Sequence, residues 1–220
     1  QVTVVSQPDR PAGPGFWARL RGRKARPSRA PTPLLDFLGP RHIILDRPRP
    51  VTGADLVLHR GEVLGIAGLA GAARTELAEA IAGLRPAKGR ISVRGRPVTI
   101  RSPRDAAAHG IAYLTEDRKE AGLLLEKPLR ENLTLAVLER FGGWRIDTAA
   151  EDAALDRATA DFDIRAPSRS MAAGKLSGGN QQKLLLAKTM LTEPRIVIID
   201  EPTRGIDVGT KRQIYAFIRR

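Results

Sequence analysis

Leu176-Ser177-Gly178-Gly179-Asn180-Gln181-Gln182-Lys183 reads as a tight glycine turn that opens a helix. Leu184, Ala187 and Leu191 continue it as an apolar stripe at helical spacing. Glycines at a helix start let backbone N–H groups approach a ligand closely, where the helix dipole already favours negative charge. Ser177 adds a hydroxyl. The stretch is a candidate phosphate site. A serine N-cap on an ordinary helix has the same local look, so the surroundings decide.

Upstream, Glu62-Val63-Leu64-Gly65-Ile66-Ala67 is apolar on both faces after its first residue, as expected of a buried parallel strand. It runs into Gly68-Leu69-Ala70-Gly71-Ala72-Ala73-Arg74-Thr75. A helix follows, with Leu77, Ala78, Ile81 and Ala82 on one side and Gly83 at its close. Strand, small-residue loop and helix make the setting of a P-loop, G-x-x-x-x-G-K-[ST]. The chain meets that template at Gly68 and Thr75 and departs from it at Ala73 and Arg74, which replace glycine and lysine. The loop amides still suit an anion nest. Arg74 keeps a positive charge, but its broad fork is no copy of a compact ammonium. Weak nucleotide binding or slow turnover is the expectation here. Downstream, Pro194-Arg195-Ile196-Val197-Ile198-Ile199-Asp200-Glu201-Pro202 is a β-branched strand capped by two acids. Charges at a core edge are costly, and a metal ion supplies a reason for them. Asp200 is expected to hold Mg²⁺ through water, and Glu201 to orient or polarise an attacking water.

The remaining elements read as an α/β chain. Short strands are expected at His42–Leu45, Leu56–Leu58, Arg90–Val93 and Pro97–Ile100, the last two joined at Arg94-Gly95-Arg96. Ser102-Pro103 gives an N-cap with proline at the first helical position, and that helix ends near His109-Gly110. Ile111–Leu114 is a core strand leading into the charged segment Thr115–Leu123, where α/β proteins place ligand loops. Leu129–Phe141 and Thr148–Phe162 have helical periodicity, with Leu133, Val137 and Phe141 on one face and Ala153, Leu155 and Phe162 packing in the second. Thr203–Asp207 turns into a last helix from about Thr210.

A formal net charge of +13 points to a polyanionic partner without choosing between nucleotide, nucleic acid and anionic lipid surface. The lack of cysteine excludes a disulfide framework and a thiolate metal site. No apolar run approaches the ~20 residues needed to cross a bilayer, and no secretory signal is visible. A soluble, cytoplasmic-side protein is the expectation. Residues 1–40 are rich in Pro, Gly and Arg and read as a solvated, disordered linker; a basic arm for membrane or nucleic acid, anchored by Phe16 and Trp17, is the sharper alternative. The chain starts at Gln1 and stops at Arg220 inside a growing helix, so it reads as a fragment cut at both ends.

Taken in order, these stretches resemble the ATP-binding-cassette (ABC) ATPases: P-loop, acidic loop after a strand, helical insert, L-S-G-G signature, Walker B strand, and the turn with Asp207. The resemblance covers about Ile43 to Arg220. More narrowly, the chain is similar to the second cassette of the tandem ATPases that drive bacterial monosaccharide importers of the ribose, xylose and galactose type. Four features carry this: the P-loop with arginine for lysine, Thr115-Glu116-Asp117-Arg118-Lys119-Glu120-Ala121-Gly122-Leu123, the signature continued as Asn180-Gln181-Gln182-Lys183, and Asp200-Glu201-Pro202-Thr203-Arg204-Gly205-Ile206-Asp207-Val208-Gly209.

The resemblance implies an α/β P-loop NTPase fold of the ABC type, a mixed β-sheet core with a helical insert, truncated at the C-terminus. The partial nucleotide-binding domain would span 41–220, with a helical subdomain at about 123–178. ATP and Mg²⁺ are the implied cofactors. Two cassettes of this family sandwich ATP head to tail, each site pairing one P-loop with the other's signature. The implied nucleotide-binding residues are Gly68, Leu69, Ala70, Gly71, Ala72, Ala73, Arg74 and Thr75 of the P-loop, with Ser177, Gly178, Gly179, Gln181 and Asp207; Ser177, Gly178 and Gly179 would close on the γ-phosphate held by the partner cassette. The implied metal set is Thr75, Glu116 and Asp200, and the implied catalytic residue is Glu201. Glu116 stands where the wider superfamily has a glutamine. The family's switch histidine comes after the Walker B strand, whereas His42, His59 and His109 all precede the signature. No aromatic sits near His42–Leu45 to stack the adenine. Implied partners are a first cassette, membrane permease subunits and, indirectly, a periplasmic sugar-binding protein, at the cytoplasmic face of the bacterial inner membrane; no nucleic acid is expected. The implied function is an ATPase cassette energising monosaccharide import, with little ATPase activity in the fragment alone. A non-hydrolysing regulatory cassette and a nucleoside-type importer ATPase are the alternatives.

Overall fold

Five residues at the extreme N-terminus, Val2–Ser6, form strand β1, and Leu35–Leu38 form β2. Composition alone marks this whole region as linker. In this computed structural model, which describes residues 2–6, 35–38, 54–69 and 71–218, both strands are nonetheless taken up by sheets. Strand pairing uses backbone groups, which Pro/Arg-rich flanks do not reveal. The expected strand at His42–Leu45 lies outside the described residues.

The chain divides into two compact units. The first holds two four-stranded sheets. One is antiparallel throughout: β3 (Asp55–Leu58), β2, β5 (Arg90–Val93) and β6 (Arg96–Val98), in that order. Arg94 and Gly95 close its last hairpin at φ 56° and 71°, the pair of positive φ values that a two-residue turn matching strand twist requires. The other sheet runs β4 (Val63–Ile66), β1, β8 (Ile196–Asp200) and β7 (Ile111–Leu114). Helices α1 (Arg74–Ile81) and α2 (Pro103–Ala108) belong to the same unit, and the Ser102 hydroxyl caps α2 by accepting from Asp105 N at 3.2 Å. Val4, Leu58, Ile81, Ile111, Ile196 and Ile198 are among the buried side chains of its core.

The register of β1 sets the levels of its two neighbours. It pairs antiparallel with both β4 and β8, so those two strands run the same way. Val2 lies opposite Ile66 on one side and Asp200 on the other. The two strands therefore end level, about 10 Å apart at ordinary strand spacing. The expectation of β4 as a strand buried on both faces is corrected: among the described residues it lies at the edge of its sheet, and Val63 is 49% exposed.

The second unit is helical. After a π-helical turn at Arg118–Gly122 come α3 (Leu129–Thr134), a 3₁₀ stretch at Leu135–Phe141, α4 (Thr148–Asp161), α5 (Gly178–Leu191) and α6 (Val208–Ile218). The single helix expected over Leu129–Phe141 is broken at Val137, whose φ −140° and ψ 32° are non-helical. In α4 the buried face is Ala154, Leu155 and Ala158; Ala153, expected to pack, is exposed. Asn132 is fully buried and staples the loop before α3: its Oδ1 accepts from Leu124 N at 2.7 Å, and its Nδ2 donates to the carbonyls of Leu124, Lys127 and Pro128.

Gly83 closes α1 at φ +74°, and a β-carbon there would stand 2.6 Å from the backbone carbonyl of Ser102. Both the left-handed conformation and the clash with main chain oppose any side chain. Gly83→Ala is expected to destabilise the fold by about 2 kcal/mol or more, read as a lowered urea midpoint at unchanged slope.

Candidate functional site

The loop after β4 leads from Ala67 to α1, with Ala70 outside the described residues. Gly71 has φ 77°. Ala73, the N-cap of α1, sits at φ 56° and ψ 33° and makes no side-chain cap. That left-handed conformation suits glycine and costs an alanine about 1 kcal/mol. The departure at Ala73 is thus conformational as well as steric. Arg74 folds back over the loop: its Cδ lies 3.3 Å from where a β-carbon on Gly68 would be. Its Nη1 reaches to 3.7 Å from Glu201 Oε1, with the two side chains 23% and 35% exposed. The loop arginine and the strand-end glutamate therefore neutralise each other within one unit. A partly exposed pair at this distance is weak, worth under about 1 kcal/mol.

Asp200 ends β8 at 1% exposure, and the Tyr113 hydroxyl donates to its Oδ2 at 3.1 Å. In the sequence Tyr113 reads only as part of a core strand; a hydroxyl placed level with the acid of a neighbouring strand gives no signal in local periodicity. Glu201 has φ 39°, so the acid pair emerges from the strand through a strained residue. Asp200 and Thr75 offer hard oxygen donors. That suits Mg²⁺, which binds one or two protein oxygens together with phosphates and waters instead of a full protein cage. Among the described residues no group of three or more His, Asp or Glu gathers.

The second unit carries the glycine turn. Ser177 is the N-cap of α5, at φ −60° and ψ 154°, and its Oγ accepts from Asn180 N at 3.4 Å and from Asn180 Nδ2 at 3.0 Å. Acting as acceptor leaves its own hydrogen available for donation. A β-carbon on Gly178 would lie 3.0 Å from Arg118 Nη2, and one on Gly179 only 2.7 Å from Thr210 Oγ1. Packing against Thr210 enforces the glycine at Gly179, whereas at Gly178 the neighbour is the end of the Arg118 side chain. Gln181, expected among the nucleotide ligands, is 5% exposed and turned inward. Its Nε2 faces the carbonyls of Ala173, Gly174 and Leu176 at 3.4, 3.4 and 3.1 Å. It ties the loop before the turn to the first turn of α5.

Asp207 caps α6: Oδ1 accepts from Thr210 N at 2.9 Å and Oδ2 from Thr210 Oγ1 at 2.7 Å. These bonds, the backbone one foremost, hold its carboxyl below the usual aspartate range. Glu116 pairs with Arg204 at 2.9 Å, so a metal at Glu116 would have to displace a guanidinium. Lys183, 7% exposed, donates to the Asp163 carbonyl at 2.7 Å and to its Oδ2 at 3.0 Å. That bond lowers the Asp163 pKa and ties α5 to the end of α4. The candidate residues thus fall into two groups: Gly68–Thr75, Asp200 and Glu201 in the first unit, and Glu116, Ser177–Gln181 and Asp207 in the second.

The profile of the ABC transporter family matches residues 51–204. The chain is 48% identical to the putative ribose/galactose/methyl galactoside import ATP-binding protein 3 of Burkholderia cenocepacia (strain HI2424), over 92% of this chain and 40% of that protein. It is also 48% identical to the ribose import ATP-binding protein RbsA of Shigella dysenteriae serotype 1 (strain Sd197), over 75% of this chain and 32% of that protein. The chain thus spans well under half the length of these relatives. A solved nucleotide-free ATP-binding cassette from an ABC transporter shares the fold at TM-score 0.69 and 19% identity, over 85% of this chain and 76% of that one.

The Asp207 cap is pH-dependent in a defined direction. Its folded pKa is depressed, so its contribution to stability is complete above the unfolded value of about 3.9 and is lost as pH falls through the lower folded value. Asp207→Asn is expected to flatten the acid limb of a stability-against-pH profile below about pH 4 while leaving the neutral-pH midpoint near that of the parent, because asparagine also caps.

Proposed function

The chain belongs to the ABC transporter family, and from that premise we propose that it is the second cassette of an importer ATPase, energising the uptake of a monosaccharide. The names of its relatives, import ATP-binding proteins for ribose and galactose-type sugars, support the substrate class. The observation that carries the reading is the corner Ser177-Gly178-Gly179. It presents bare backbone at the head of a 14-residue helix, with the serine hydroxyl beside it. The first amides of a helix have no intrahelical partner, and donors fixed in place before charge develops are the effective ones for phosphoryl transfer.

In this reading the corner closes on the terminal phosphate of ATP held by a first cassette, whether in the same longer chain or a dimer mate. The chain's own P-loop is the weaker half of the pair. Ala73 in a left-handed conformation and Arg74 turned onto Glu201 both favour a cassette that holds nucleotide more than it hydrolyses it. Mg²⁺ bound with the nucleotide supplies positive charge to the transferring phosphoryl group; Thr75 and Asp200 would hold it. Glu201 orients water once Arg74 has moved to the phosphates. The remaining partners are membrane permease subunits and, through them, a periplasmic sugar-binding protein. The chain works at the cytoplasmic face of the inner membrane; no described helix is long and apolar enough to cross the bilayer.

Two substitutions in the complete transporter test this. Ser177→Arg, which fills the corner, is expected to lower ATP turnover by about 100-fold or more with both P-loops intact; undiminished sugar uptake would refute the corner's role. Glu201→Gln is expected to leave ATP binding in place and lower turnover, and a turnover equal to the parent's would assign all the chemistry to the partner site.

A further inference from the structure

Arg118 has no assigned role, yet three motif segments of the second unit meet on it. Its Nη1 donates to the Arg204 carbonyl at 3.0 Å, and its Nε to Gln181 Oε1 at 3.3 Å. Its Nη2 stands 3.0 Å from the β-carbon position of Gly178 and 3.7 Å from that of Gly205. We propose that Arg118 is a positioning residue that fastens the serine–glycine corner of α5 to the turn ahead of Asp207, so that both present a single surface to the anion. This rests on the corner binding phosphate as proposed above.

The network leaves little freedom in how the bonds are made. Gln181 has one amide nitrogen and one amide oxygen. The nitrogen faces three backbone carbonyls, of Ala173, Gly174 and Leu176. The oxygen must therefore face a donor, and Arg118 Nε is that donor. Arg118 thus reads the lead-in loop through Gln181 and the turn through Arg204 O, with one rigid planar group spanning both. Its own backbone is fixed as well: Asp117 Oδ1 accepts from Lys119 N at 3.0 Å and Glu120 N at 3.1 Å at the start of the π-helical turn. The Glu116–Arg204 ion pair at 2.9 Å closes the ring. Arg118 grips the Arg204 carbonyl, while Glu116, two positions ahead of Arg118, holds the Arg204 side chain. Gly178 and Gly205 are bare where the guanidinium lies over them. A lysine has no planar fork and cannot span the same two acceptors.

The test uses the complete transporter and measures ATP turnover, ATP concentration at half-maximal rate, nucleotide binding and thermal melting. Arg118→Ala and Arg118→Lys are expected to lower turnover about tenfold, with binding and half-saturation within about twofold of the parent. A residue that merely holds the fold would not split the two in this way. In a double-mutant cycle, Arg118→Ala with Gln181→Ala is expected to lose no more than the worse single variant, since the two act as one unit. Fully additive losses, or parent turnover in either Arg118 variant, would overturn the inference. Arg118→Met keeps the apolar stem in case alanine collapses the loop; if neither variant melts cooperatively, Arg118 serves the fold and the inference fails. Ser177→Arg is run alongside. Lost turnover there with parent turnover in Arg118→Ala removes only this inference, whereas parent turnover in Ser177→Arg removes the reading beneath it.

Discussion

Bare main chain at the serine–glycine corner is the constraint on which the proposed reading depends, and neighbours press on it from behind. Thr210 leaves no room for a β-carbon on Gly179, and Arg118 crowds the same atom on Gly178. The buried length of α5 then acts as the anchor. Gln181, Gln182 and Lys183 are all under a tenth exposed, an unusual fate for such polar residues, and Gln181 and Lys183 are each bonded to backbone. The polar run after the glycines is therefore tied into the fold through Gln181 and Lys183.

In the first unit the emphasis is reversed. The ends of β4 and β8 are brought level by a strand between them, the arrangement in which α/β proteins gather ligand loops at carboxyl ends. Yet the two side chains that ought to act on a nucleotide are turned on each other, Arg74 toward Glu201, and the loop between them carries a strained alanine. A guanidinium is weakly hydrated and pairs readily with a carboxylate, so replacing lysine by arginine favours this contact. In the proposed reading one unit offers donors fixed in advance, while in the other Arg74 leaves Glu201 before either acts on nucleotide.

Legibility in the sequence falls with distance along the chain. The P-loop setting, the acid-capped strand and the serine–glycine turn are local patterns. They suffice for the P-loop NTPase fold of the ABC type, which the family match and the solved cassette both support. The proline-started helix α2 is equally local, since its cap lies three residues from its partner. The roles of Arg118, Tyr113 and Lys183 are not legible in this way. Arg118 meets Gln181 across 63 positions and Arg204 across 86, and Tyr113 meets Asp200 across 87. No periodicity reports such pairings. Strands β1 and β2 are hidden for another reason: their flanks have a linker's composition, and the main-chain pairing and the buried Val4 and Leu35 that hold them depend on partners far along the chain.

The placement of β1 has a structural corollary. Strands β4 and β8 are not neighbours in the described sheet; each is bonded to the same five-residue segment. Withdrawing that segment would open a slot one strand wide, lined on both sides by unsatisfied amides and carbonyls. Both walls run the same way and Val4 between them is 1% exposed, so the occupant is held by side-chain packing as well as by main-chain bonds. That occupant therefore sets the spacing between the strand that leads into the Gly68–Thr75 loop and the strand that ends in Asp200.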